Sequence, residues 1–204
     1  ILIKPTETFT LRIIGDYSKR AEDCCVSLPA GVVTTLPGGV PIANNFYQRA
    51  ASLNYTLPTL NAFDRVTDIN APSYYTVKQR GISANAQWAL GGVALTSITA
   101  YRAWDWEPHN DSDATGLSVF NLSQTTTHQK QFSQELRLAS TGTRTIDWVA
   151  GLYYFHQSLP TQALTEFGSD AAGFALPPTV PAAIGNAALN GFSFVGDSRA
   201  TTDS

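Results

Sequence analysis

The densest set of side chains able to do chemistry is the run Trp104-Asp105-Trp106-Glu107-Pro108-His109-Asn110-Asp111-Ser112-Asp113. Its carboxylate and amide oxygens are of the type that holds Ca²⁺. The spacing is not that of an EF-hand loop, and a solvated polar loop at a strand tip is the simpler account. Trp104 and Trp106 offer large, rigid contact area to a ligand, with His109 close behind in the chain. Arg102, just before them, has the charge and the fork of donors to meet an anionic ligand. A salt bridge to a neighbouring strand is the plainer use of the same guanidinium. Glu135 and Arg137 lie two apart, so they share a strand face and read as part of a charge ladder.

Catalysis has little support. His109, His128 and His156 are far apart, and no Gly-x-Ser-x-Gly run occurs. Gly38-Gly39 and Gly91-Gly92 read as turns, because no phosphate-cradling Gly-x-x-x-x-Gly-Lys follows them. No catalytic residue, metal site or cofactor is expected, and the chain is not expected to be an enzyme. Cys24 and Cys25 are adjacent, so they cannot clip a long loop. They are expected to form a vicinal disulfide or an inert loop pair, because no further ligand stands near them at metal-binding spacing.

Composition narrows the class. Hydrophobic residues make up 43% and charged residues 14%, against about 25% charged in an ordinary globular protein. That balance excludes the disordered class, which combines low hydrophobicity with high net charge. A net charge of −3 argues against nucleic acid as a partner. The longest apolar run, Trp148 to Phe155, is far short of the about 20 residues of a membrane-spanning helix. A chain that opens on Ile1 and has no methionine is expected to be a processed product or a fragment.

The residues singled out above must be positioned by strands. Alternation of apolar and polar side chains marks them at about 6–17, 78–90, 93–106, 126–139 and 145–157. Phe9, Leu11, Ile13, Gly15 and Tyr17 fall on one parity, and Ile82, Ala84, Ala86, Trp88 and Leu90 on another. The last strand is blurred, because both of its parities are mostly apolar. Short helices are expected in the Ala-rich stretches 163–175 and 181–190. The connections alternate in length. Segments 18–77, 107–125 and 158–204 are long, whereas Gly91-Gly92 and Ser140–Arg144 are tight. All tight turns therefore lie at one edge of the sheet and all long loops at the other.

A compact soluble domain rarely contains a structureless loop of this length. Outer-membrane β-barrels have short periplasmic turns and long extracellular loops, with strands alternating apolar outward and polar inward. On that plan Phe9, Trp88 and Trp148 stand near the periplasmic ends of their strands. Tyr17, Tyr101, Phe132 and Tyr154 stand near the outer ends. All seven are on the parity assigned to lipid, as an aromatic girdle requires. Phe9 to Tyr17 spans roughly 26 Å of strand, close to an apolar band of about 25 Å. Arg12, Asp16, Arg102, Glu135 and Arg137 fall on the opposite, inward parity.

Three strand sequences, taken with their order and spacing, carry a resemblance. Ser97-Ile98-Thr99-Ala100-Tyr101-Arg102, Gln131-Phe132-Ser133-Gln134-Glu135-Leu136-Arg137-Leu138 and Asp147-Trp148-Val149-Ala150-Gly151-Leu152-Tyr153-Tyr154-Phe155 resemble consecutive barrel strands of TonB-dependent outer-membrane receptors. Leu11–Tyr17 is similar to an earlier strand of the same barrel. The resemblance covers about 6–17 and 77–157; the long loops take no part in it. It implies an all-β, antiparallel up-and-down meander, here about five strands of a 22-stranded transmembrane barrel. It further implies energy-coupled import of ferric siderophores, cobalamin or sugars, a ferric siderophore being first among them. The implied partners are outer-membrane lipid, the TonB complex through an N-terminal region, and the small-molecule ligand. The family's plug domain and closing C-terminal aromatic are not found in residues 1–204, so the expectation is an interior slice of the barrel wall in a bacterial outer membrane. Two other readings stand beside it. One is a secreted, soluble β-sandwich that binds carbohydrate. The other is a passive outer-membrane pore or adhesin.

Overall fold

The computed structural model describes residues 1–204. The chain is all-β: seven antiparallel strands form one open sheet in the order in which they occur. They are β1 (Leu2–Thr6), β2 (Phe9–Asp23), β3 (Tyr74–Ala89), β4 (Val93–His109), β5 (Phe120–Ser140), β6 (Val149–Phe167) and β7 (Ser193–Asp203). Short helices interrupt the connections: α1 (Phe46–Ser52), α2 (Ala171–Ala175) and α3 (Ala182–Leu189).

The five expected strands are β2 to β6, and the structure adds one at each edge. β1 is short and contains Pro5, which lacks a ladder donor and hides a strand from periodicity. β7 begins with Phe194 and Val195 and then turns polar, so its later residues do not alternate in hydropathy. The remaining strands run past their expected ends at the long-loop side. β2 continues through Lys19, Arg20 and Glu22, and β5 starts at Phe120 rather than about 126. These extensions do not alternate cleanly in hydropathy; the backbone ladder pairs them, and side chains such as Phe120 and Phe167, 5.2 Å apart, add contacts across it. β6 begins later than expected, at Val149. Residues 144–147 instead fold into the turn, where Arg144 donates Nε–H to the Thr141 carbonyl at 3.0 Å. Trp148 still closes the ladder, its carbonyl accepting from Ser140 N–H at 2.9 Å. Of the two Ala-rich stretches, the second forms α3. The first begins as the end of strand β6 and finishes as α2.

The alternation of connections extends to the added strands. Glu7-Thr8, residues 90–92 and residues 141–148 link β1–β2, β3–β4 and β5–β6 at one end. Residues 24–73, 110–119 and 168–192 link the other pairs at the opposite end.

Residues directly opposite in a ladder share a face of the sheet. Phe9 pairs with Trp88, Trp88 with Leu95, Leu95 with Leu138, and Leu138 with Ala150. Higher up, Ile82 pairs with Tyr101, and Tyr101 with Phe132. Followed through the register, Phe9, Tyr17, Trp88, Tyr101, Phe132, Trp148 and Tyr154 all lie on one face, the aromatic face. Phe9 and Trp88 meet edge to face at 6.1 Å, and Phe132 and Tyr154 meet at 6.2 Å. Arg12, Asp16, Arg102, Glu135 and Arg137 lie on the other, polar face.

The sheet has no core of its own. Leu152 is 76% exposed, Ile82 57% and Leu136 43%, all on the aromatic face. Most of the buried apolar residues, Ala50, Ala71, Leu117, Val119, Ala171 and Ala172, lie instead among the long connections. There the loops fold on one another. Phe46 of α1 packs against Phe174 of α2 at 5.6 Å, and the Arg49 guanidinium sits 4.9 Å over the Phe174 ring. α1 starts at a capping box, with Asn45 and Gln48 exchanging hydrogen bonds.

Candidate functional site

On the polar face, toward the long-loop end, Asp16, Gly81 and Arg102 stand side by side on β2, β3 and β4. Arg102 donates to Asp16 at 2.8 Å, passing over Gly81. A Cβ on Gly81 would lie 2.9 Å from Asp16 Oδ1 and 3.3 Å from Arg102 Cγ. The missing side chain is thus what lets the pair reach across a whole strand.

Strand alternation puts Trp104 and Trp106 on the same face as Arg102. Their rings stack 6.2 Å apart at 17°. Tyr75 continues the stack, 5.0 Å from Trp106. Its hydroxyl donates to Glu22, and Arg20 Nε lies 3.3 Å from the same carboxylate. Gln79 and Gln129 flank Trp104 in register, and Gln131 lies opposite Arg102. These glutamines, Arg102 and Trp104 line a cavity of about 420 Å³. Chemically this is a row of flat apolar faces edged by amide donors and acceptors and one exposed cation. It suits a ring-bearing, polar or anionic ligand.

Three of the four residues expected to bind ligand are thereby brought together. His109 is not with them. It falls on the aromatic face and stacks on Tyr74 at 4.2 Å and 18°. Tyr75, Gln79, Gln129 and Gln131 were not expected. Tyr75 falls in the segment 18–77 that periodicity reads as a loop, and the glutamines reach the site only through cross-strand register, which no single strand displays.

The acidic residues around them do not converge. Asp105, on the aromatic face, contacts His128 at 2.7 Å and Arg80 at 3.4 Å. Glu107 pairs with Lys78 at 3.7 Å. Asp111 accepts from the amides of Asn70, Ala71 and Ala114. Asp113 accepts from Thr115 and Phe120, and burial pushes its carboxyl pKa up. No group of three His, Cys, Asp or Glu side chains comes together as a metal site would need.

The same loops are tied by Tyr55, whose hydroxyl donates to Asp68 at 3.0 Å and accepts from Gly116 N–H at 3.3 Å. Burial is the main reason its pKa is pushed up to about 12. Cys24 and Cys25 form a vicinal disulfide at the end of β2, with Cys25 at φ 72°. The largest cavity, about 640 Å³, lies between the loop helices and is lined by Asn44, Gln48, prolines and small residues without a titratable group.

Compared with known protein families, with curated proteins and with solved structures, the chain matches none.

Proposed function

We propose that this chain is a stretch of the barrel wall of a TonB-energised outer-membrane receptor that imports a scarce nutrient, with a ferric siderophore as the ligand class. The observation that carries this is the pairing of two asymmetries in one sheet. Tight turns sit at one end and long, folded connections at the other, and an aromatic-bordered apolar face stands uncovered between them. An up-and-down sheet in lipid needs both features. Its edges, β1 and β7, would pair with further strands of the same barrel, since unpaired edges in lipid are costly. The aromatic face then meets outer-membrane lipid, and the polar face lines the lumen. Arg102 and the Trp104–Trp106–Tyr75 row stand at the mouth of that lumen, where an anionic metal chelate enters. Coupling to the TonB complex belongs to an N-terminal region outside residues 1–204.

A soluble carbohydrate-binding sandwich fits less well, because its apolar face would be covered by a second sheet. A passive pore shares the wall and differs in the missing regions. Sequencing the DNA on both sides of this segment tests all three. A plug domain upstream and several hundred residues of alternating strands downstream are expected. A barrel without a plug would make the protein a passive pore. A start codon just before Ile1 and a stop codon just after Ser204 would overturn the receptor.

A further inference from the structure

Beyond the ligand site, the end of β2 bears a disulfide between chain neighbours. We propose that Cys24–Cys25 is a thiol–disulfide exchange site for an external dithiol, and that its opening releases the end of β2 and weakens the ligand site. The link to ligand binding rests on the receptor reading above; the exchange chemistry does not.

A disulfide normally stabilises by closing a long stretch of chain. This one closes none, since its cysteines are adjacent. What it fixes is a single turn. The bond shuts a small ring around the Cys24–Cys25 peptide, and Cys25 sits at φ 72°. That left-handed conformation is uncommon for any residue but Gly, Asn or Asp. The bond therefore holds a backbone state that two separate cysteines would rarely adopt.

The turn stands where it can act on its surroundings. Asp23 and Tyr74 form the last pair of the β2–β3 ladder. Cys24 and Ser73 come next, at the two ends of the connection between these strands. Ser73 Oγ–H donates to the Cys24 carbonyl at 2.8 Å and clasps those ends together. Past the turn, Cys25, Val26 and Ser27 line a cavity of about 170 Å³ with Asn110, Asp111 and Ser112. Before it, Glu22 accepts from Tyr75, the end ring of the Trp104–Trp106–Tyr75 stack. The direction in which the chain leaves Cys25 thus bears on both the small cavity and the stack.

The bond is open to attack. Cys25 is exposed and Cys24 half-buried, and access selects the sulfur that an incoming thiolate reaches. The first thiolate of a dithiol bonds to Cys25 Sγ. The S–S bond breaks, and its electron pair leaves on Cys24 Sγ, which takes a proton. The second thiolate attacks the mixed disulfide at the reductant's own sulfur, and Cys25 Sγ leaves and takes a proton in turn. The dithiol is oxidised to its disulfide, and the chain gains a thiol at each cysteine. With the ring gone, Cys25 returns to negative φ, and Val26 and Ser27 swing out of the cavity wall. On the receptor reading this end faces outward, so the bond reports the redox state of the outer medium. A reducing medium also removes ferric iron, the ion that the proposed ligand carries.

The test uses the full-length protein containing this chain, folded in detergent and treated with dithiothreitol without denaturant. Iodoacetamide adducts on the peptide spanning Cys24 and Cys25 count the thiols released. Hydrogen exchange at Glu22–Ser27 and Ser73–Tyr75 follows the turn. Affinity for ferric hydroxamate and catecholate chelates is read by tryptophan quenching, after the thiols are capped and the reductant removed. The first variant, Cys24→Ser/Cys25→Ser, lacks the bond. The second, Cys24→Ser/Cys25→Gly, lacks it but accepts the left-handed turn. We expect both cysteines to be alkylated in the folded barrel, with hydrogen exchange about tenfold faster and chelate affinity about tenfold weaker. The first variant should match the reduced protein. The second should keep most of the oxidised protein's affinity, and neither should respond to dithiothreitol. A bond that resists dithiothreitol until the barrel is unfolded overturns the exchange site. Reduction that leaves hydrogen exchange unchanged overturns its control of the turn, and faster exchange with unchanged affinity overturns the link to the ligand site. Oxidised protein that binds no ferric chelate removes the receptor reading, and the thiol count and hydrogen exchange still decide the exchange site.

Discussion

Arg102 and Asp16 sit on strands that are not neighbours, yet their side chains meet at 2.8 Å because Gly81 lies between them with nothing to interpose. The pair is open to solvent, with side chains 56% and 45% exposed. Exposed pairs of this kind contribute about 0–1 kcal/mol. A double-mutant cycle of Asp16→Ala and Arg102→Ala should therefore give a coupling energy of no more than about 1 kcal/mol. The pair's larger effect is positional, since it holds the guanidinium beside Trp104. A coupling several times larger would mean the site is far less hydrated than this geometry has it.

The facing of the two surfaces can be tested on adjacent residues. Ala86 lies on the aromatic face, opposite Leu11 and Ser97. Asn85 lies on the polar face, opposite Arg12 and Ile98. In the full-length protein Ala86→Arg should cost about 2–4 kcal/mol by placing charge near the lipid midplane. Asn85→Arg should be much milder. The readout is the yield of heat-resistant barrel, and equal losses would remove the assignment of lipid to the aromatic face.

The aromatic face carries a polar cluster inside its apolar band that is internally satisfied. Thr99 donates its hydroxyl hydrogen to Gln134 Oε1 at 2.5 Å. Gln134 Nε2 donates to Ser97 Oγ and to the Glu135 carbonyl, both at 3.0 Å. Removing one partner strands the amide, whereas removing both does not. Thr99→Val should cost about 1–3 kcal/mol. Thr99→Val combined with Gln134→Leu should recover most of that loss. Additive losses in urea unfolding of the detergent-folded barrel would show that the amide finds water at this depth.

Tyr55 ties the connection after β2 to the one after β4. Its pKa in the folded protein is about 12, against an ordinary value of 10.0. The folded state holds this proton more tightly than the unfolded chain. The stabilisation is therefore fully present below the ordinary value and is lost as pH rises from there through about 12. Hydrogen exchange at Gly116 should accelerate across that window beyond the intrinsic pH effect. Tyr55→Phe should abolish the extra acceleration and loosen the contact at neutral pH. An unchanged profile in Tyr55→Phe would show that the hydroxyl does not hold the loops together.

The middle of each main strand was legible because one face there is apolar and the other polar, so hydropathy itself alternates. The upper ends were not. Lys19 to Asp23 and Phe120 to Thr127 do not alternate cleanly, and the ladder hydrogen bonds that pair them leave no mark on side-chain hydropathy. α1 did leave one, the Asn45 and Gln48 capping pair ahead of a short helical run. The length of the loop around it masks that mark. The candidate site was half legible for the same reason. Parity along β4 groups Arg102, Trp104 and Trp106 and excludes His109. Gln79, Gln129 and Tyr75 join them only when three strands are placed in register, and register belongs to the fold rather than to any one strand.

That grouping makes the ligand site separable from its neighbour in sequence. Trp106 lies between Trp104 and Tyr75, 6.2 Å from one ring and 5.0 Å from the other. Replacing it breaks the stack in the middle. Buried or stacked aromatics that anchor a ligand lose about 2 kcal/mol or more on truncation, which is more than tenfold in affinity. On the receptor reading, Trp106→Ala in the full-length protein should therefore weaken binding of the proposed ferric siderophore by at least about tenfold. A panel of hydroxamate and catecholate chelates, followed by quenching of tryptophan fluorescence, finds the ligand and measures the loss. His109→Ala, on the opposite face of the same strand, should leave affinity unchanged while releasing Tyr74 from its stack. Equal losses from both variants would mean that the mouth of the barrel responds as a whole, and that the polar face near Arg102 is not where the ligand sits.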